Sequence, residues 1–257
     1  MRKNDLERNF LLMKKLHWFT LLLTSAAACF LQAKHLLTGF DAQGFPLTRG
    51  LFGSFPLLPA LAAFAALFFF LCRKAPAASD ISADFPAVFD FSGTFSLFLA
   101  VCGIFMLFAS AGLSLLTDFG YLLDMILAVL LAISAAALLY ALVALRKGKT
   151  AGTAMLVPLC YLMLLLVLTY RTFAKDPVVA HYYIYIVSLA LLGWAGLQLA
   201  AFAFRNGSAR SYLPFAMLAV AAALPAAVAA QSVAQLLMYG GFAVVHLAFL
   251  SAFSLKD

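Results

Sequence analysis

Charge is scarce in this chain. Of its 257 residues, 11% are Asp, Glu, Lys or Arg, whereas a soluble domain carries about 25%. That deficit excludes a water-covered surface, and with it an ordinary soluble fold. Glu7 is the one glutamate in the sequence, so intramembrane catalysis that depends on buried glutamates is not expected. Long polar stretches are missing too. None approaches the roughly 50 residues of a minimal soluble domain, so no appended catalytic module is expected. The four cysteines, Cys29, Cys72, Cys102 and Cys160, lie within or beside apolar runs. There they act as small apolar residues, which predicts neither a disulfide framework nor a metal site. HExxH, P-loop and GxSxG motifs are absent from the sequence. No lysine lies in the last apolar run, which excludes a retinal Schiff base there. No pair of deep histidines on facing helices is evident, so a bis-His haem is not expected. No cofactor is predicted.

What remains is 66% hydrophobic. Such a chain predicts an all-α, polytopic membrane bundle forming one domain over residues 1–257. Eight apolar runs are long enough to cross a bilayer core, near 16–37, 51–72, 93–116, 121–145, 153–171, 181–204, 211–230 and 233–253. The runs are continuous rather than alternating, and unpaired strand backbone is not tolerated in lipid, so the spans are helices.

The net charge of +7 does not point to nucleic acid, because the basic residues are distributed over the connecting loops. With the N-terminus inside, thirteen of the seventeen Lys and Arg residues fall in inner segments. Lys34, Arg49, Arg171 and Lys175 fall outside. This bias predicts both termini in the cytoplasm and a location in the cytoplasmic membrane.

The first run raises a question of processing. In KKLHWFTLLLTSAAACFLQAKH, residues 14–35, two lysines precede an apolar stretch, and Ala26-Ala27-Ala28 precedes Cys29. A cleaved signal, or a lipid on Cys29, would read this way. The apolar character continues through Phe30 and Leu31, however, beyond where a signal-peptide apolar region ends. The reading therefore favours an uncleaved first span.

Two connections carry structural signals. RKAPAASDISADFPAVFDFS, residues 73–92, is the longest inner loop. Its phenylalanines among three aspartates predict a segment lying at the membrane interface, with Ser92 as N-cap of the third span. TDFGY and AAQS read as tight turns between antiparallel neighbours. The outer loop LLTGFDAQGFPL and the later TYRTFAKDPVVAHYY resemble segments of a family of small, uncharacterised bacterial multi-span membrane proteins. The resemblance implies a bacterial inner-membrane protein and carries over no activity and no functional residues.

Candidate site residues are few. His17 and His35 lie 18 residues apart, five turns of one helix, and share a face with Thr24. They line a polar path, or they sit at the two interfaces while the threonines bond their own helix. In the last span Gln235, Tyr239 and His246 fall within about 40° on the helical wheel. His246 lies about 20 Å from the outer end, at 1.5 Å per residue. An ionisable group at such depth is a functional candidate, although one hydrogen bond to a neighbouring helix also accounts for it. Asp124 falls in the first turn of the fourth span, where the helix dipole favours a carboxylate. Arg171, Asp176 and His181 sit in the most polar outer stretch. They could converge with Asp118, Asp124, Asp41 and His35 in an outer vestibule, or merely border an aromatic belt of Tyr182, Tyr183 and Tyr185. Gly193, Gly196 and Ala200, and separately Ala219, Ala223 and Ala227, read as close-packing faces. Pro158 and Pro225 read as kinks in the fifth and seventh spans.

The sequence thus predicts a non-catalytic membrane protein that binds a lipid, an apolar ligand or a partner membrane subunit. The alternative is a small-solute permease or the membrane subunit of a transporter. An enzyme or sensor is the least favoured class.

Overall fold

A computed structural model describes residues 3–41, 47, 55–73, 85–117, 122–174 and 182–253. The described residues fold into helices: α1 Lys3–Thr38, α2 Leu57–Cys72, the single turn α3 Phe85–Val88, α4 Thr94–Thr117, α5 Leu122–Arg146, α6 Gly152–Phe173, α7 Tyr183–Ala203, α8 Ala209–Val228 and α9 Val233–Ala252. Seven are long and apolar enough to cross a membrane: Leu16–Thr38 within α1, and α4 to α9. The chain is a multi-pass membrane protein.

The predicted second span is shorter than expected. Its described helix has 16 residues. At 1.5 Å per residue that is about 24 Å, less than the ~30 Å of a bilayer core. It nevertheless reaches both levels of the bundle. The Leu57 N–H donates to the Tyr183 hydroxyl at 3.4 Å, at the start of α7. The Phe69 ring meets Phe215, near the start of the antiparallel α8, at 5.2 Å.

Consecutive helices α4 to α9 pack side by side, and α9 returns to α4 through the most extensive interface in the molecule. Six helices therefore close a ring. Outside it, α1 and α2 pack on α8 and on each other. This leaves α8 covered by α7, α9, α1 and α2, which explains its composition. A helix buried on every side must be apolar all round, and small side chains let four neighbours approach. Ala219, Ala221, Ala222, Ala223 and Ala226 are fully buried. The rim of the bundle carries exposed Phe30, Phe98, Phe105, Val167 and Tyr170, as a lipid-facing surface requires.

Small residues pack closely where the sequence suggested on α8, with Ala219 and Ala223 fully buried, but the sixth-span glycines do not mark a backbone contact. Beside Gly193 lies the flexible end of Met163, and beside Gly196 only a methyl of Leu159 at ordinary distance. A close backbone approach joins α4 to α9 at Gly103 and Gly241. Pro158 lies within α6, and Pro214 and Pro225 lie within α8.

Two loop expectations need correction. Ser92 does not cap α4. Its N–H donates to the Asp90 carboxylate at 2.9 Å, forming an Asx-type turn that precedes the helix. The phenylalanines of the long loop do not lie on the membrane surface either. Phe85, Val88, Phe89 and Phe91 are buried in the end of the bundle. Phe89 meets the rings of Phe85, Phe202, Tyr212, Phe249 and Phe253 at 5.2–5.8 Å. The Asp90 N–H also donates to the Ala252 carbonyl at 2.8 Å, pinning the segment to the end of α9. An aromatic plug thus fills the end of the ring where α7 and α9 finish. The AAQS connection is a short turn, as expected, whereas residues 118–121 of TDFGY lie outside the described residues.

A candidate vestibule inside the helix ring

At the end opposite the plug, the ring encloses a cavity of about 290 Å³. Its walls come from the late residues of α4 and α6, the early residues of α5 and α7, and the α8–α9 turn running into α9. Polar groups gather at the mouth: Asp124, Thr172, Gln231, Ser232 and Gln235. Aromatic and apolar groups form the walls and floor: Tyr161, Tyr185, Tyr239, Met238 and Leu131. Asp124 is two residues inside α5, about 3 Å along its axis, whereas Tyr161 lies about 18 Å inside the end of α6. The cavity therefore grades from polar to apolar with depth.

Its tyrosines are held in place. Tyr185 stacks on Tyr239 with ring centroids 5.7 Å apart, and its hydroxyl donates to the Ala229 carbonyl. The Tyr161 hydroxyl donates to Met238 Sδ at 3.2 Å, and its ring stacks on Phe242 at 6.1 Å. The α4 wall is tied to α9 by Ser110, whose hydroxyl donates to the Ala234 carbonyl at 2.7 Å. Asp124 differs from these. It is half-buried, and no hydrogen bond or ion pair engages its carboxylate among the described residues.

Gln235 serves the fold as well as the lining. Its backbone N–H donates to Ser232 Oγ at 3.2 Å, and its side-chain oxygen accepts from the Gln231 N–H at 3.1 Å. This reciprocal pair closes the start of α9 in the manner of a capping box. The polar character of Gln235 is therefore explained by the helix terminus.

His246 lies deeper, beyond the Tyr161–Met238 floor. It is buried, and its Nδ1 has no hydrogen-bond partner among the described residues. The interhelical bond expected for it is therefore not made at Nδ1. It lines a separate void of about 20 Å³ together with Pro158, Leu162, Phe242 and Val245. That void is large enough for one water molecule.

The other candidates among the described residues do not line the vestibule. His17 is set against the Leu71 backbone carbonyl of α2. His35 is buried near the other end of α1, with its ring 4.8 Å from Phe40. Thr20 and Thr24 bond carbonyls of their own helix at 2.8–3.1 Å. The α1 stripe thus serves packing outside the ring. Arg171 is exposed on α6 and does not line the cavity. Asp176 and His181, with Asp118 and Lys175, lie outside the described residues.

Several lining residues were not singled out from the sequence. Ser110 and Ser114 are four apart on α4, and Tyr161, Thr169 and Thr172 recur at helical spacing on α6. Hydroxyl-bearing residues on one face of the same half of two spans were the available signal. A second hollow of about 290 Å³ lies at the plug end, but its carboxylate, Asp90, is already engaged by Ser92. No group of three or more His, Cys, Asp or Glu gathers as a metal site among the described residues.

No family model, curated protein or solved structure matches this chain. The functional reading therefore rests on the residues themselves.

Proposed function

We propose that this protein is a non-catalytic, eight-span membrane protein that binds a small amphipathic molecule in the vestibule. On this reading α2 counts as a span because it reaches both levels of the bundle. The first span is retained, both termini are cytoplasmic, and the vestibule opens outward from the cytoplasmic membrane. The observation that carries the reading is the graded cavity, polar at Asp124 and aromatic at Tyr161 and Tyr239. Ligand sites are concave and mostly apolar, with a few converging polar groups, and this cavity has that character. The absence of recognisable catalytic motifs favours binding over chemistry.

A second reading, a small-solute permease, is favoured by one observation. The vestibule lies inside the helix ring, and the His246 void continues beyond its floor. Transport would require the Tyr161–Met238 floor and the Phe89 plug to open. Binding of lipid at the rim or of a partner subunit remains compatible with both readings.

The test is purification of the full chain in mild detergent, followed by native mass spectrometry. The binding reading expects a bound small molecule that is lost when Thr169→Trp fills the cavity. A bundle that carries only peripheral lipid, unchanged by that substitution, refutes it. Uptake of the released molecule into vesicles containing the protein would select the permease reading.

A further inference from the structure

Resting on the vestibule reading, we propose that the ligand is an organic monocation with an apolar body, held by Asp124 at its charged end. The lining contains one carboxylate and no Lys, Arg or His among the described residues. An anion would meet only like charge there. A half-buried carboxylate beside leucines is costly without compensation, and no cation among the described residues supplies it. The start of α5 offers partial compensation through its dipole, but a dipole end accounts for the carboxylate alone. It does not account for what lies below it.

Below Asp124 the cavity presents tyrosine faces and edges. The rings of Tyr185 and Tyr239 stack on one another, and Tyr161 lines the same cavity. Tyr185 and Tyr161 direct their hydroxyl hydrogens away, onto Ala229 and Met238, so their rings stay electron-rich walls and not competing donors. Such π surfaces attract ammonium groups and also accept apolar bodies. Met238 adds a polarizable, adaptable surface at the floor. A cationic head at Asp124 with an apolar tail reaching Tyr161 satisfies both halves of the gradient. A neutral apolar molecule would leave the carboxylate uncompensated, and a small inorganic cation would leave the aromatic floor unused.

The test uses equilibrium dialysis of labelled benzyltrimethylammonium against the detergent-purified full chain. Its uncharged isostere, neopentylbenzene, is the comparison. We expect saturable binding of the cation, at least tenfold tighter than the isostere. Asp124→Asn should weaken the cation at least tenfold and leave the isostere within about twofold. Thr172→Lys provides an independent variant, because Thr172 is exposed at the mouth and tolerates a long side chain. It should weaken the cation and spare the isostere. Equal binding of both compounds, unmoved by either substitution, would remove the cation assignment while leaving the vestibule a binding site. Binding of neither compound, with no co-purifying molecule, would remove both.

Discussion

Gly103 of α4 lies so close to Gly241 of α9 that a Cβ on Gly103 would fall 2.9 Å from the Gly241 carbonyl oxygen. The same added atom would also fall 2.9 Å from the Val245 backbone nitrogen. Backbone atoms cannot swing aside as a side-chain tip can. This contact closes the helix ring, joining segments more than a hundred residues apart in sequence. The ring in turn creates the vestibule.

Gly103→Ala should therefore force α4 and α9 apart. Overpacking of this kind costs about 1–3 kcal/mol. Gly112→Ala is the control, because nothing lies within 4 Å of its added carbon. Thermal unfolding in detergent should show a clear loss for the first substitution and none for the second. Equal melting of the two variants would mean that the interface is not tight at this point.

The aromatic plug makes a second comparison. Phe89 is buried against five rings, whereas Phe98 is exposed on the rim. Phe89→Ala should cost about 3–5 kcal/mol, as for large-to-small changes in a core. Phe98→Ala should cost much less. Tyr212 adds a finer test. Its hydroxyl is buried without a hydrogen-bond partner among the described residues, so Tyr212→Phe should leave the melting temperature unchanged or higher. A drop for Tyr212→Phe would reveal a partner for that hydroxyl.

His246 offers a prediction of sign. An Nδ1 without a partner contributes no interhelical hydrogen bond that could be lost. Replacing a buried unsatisfied polar group by an apolar one of similar size is nearly neutral or stabilising. His246→Leu should therefore melt at or above the wild type. A fall equivalent to about 1 kcal/mol, the scale of hydrogen bonds between membrane helices, would show that the imidazole has a bonding partner.

Membrane topology can be read directly. In a cysteine-free background, single cysteines at Asp41 and Ala174 should react with an impermeant reagent on intact cells. Cysteines at Lys147 and Ser208 should react only after permeabilisation. Reversed accessibility between Asp41 and Lys147 would overturn the eight-span reading and the outward orientation of the vestibule.

The sequence by itself determined that this is a multi-pass helical membrane protein, and it located seven long helices to within a few residues. Both follow from local rules. In lipid the backbone must bond internally, so any apolar run of about 20 residues becomes a helix wherever its neighbours lie. Only the tertiary structure decided which helices touch. Every span is apolar nearly all round, so no amphipathic face marks its partners, and the driving force is shape. That is why Gly103 and Gly241 went unnoticed while the more conspicuous Gly193 and Gly196 proved to face side chains. It is also why the polar stripes could not be ranked. On one wheel Gln235, Tyr239 and His246 look alike. In the folded ring Gln235 closes a helix end, Tyr239 walls a cavity, and His246 lines a separate void. Those roles depend on α4, α5, α6 and α7 standing opposite α9, a spatial arrangement that the residues of one helix do not encode.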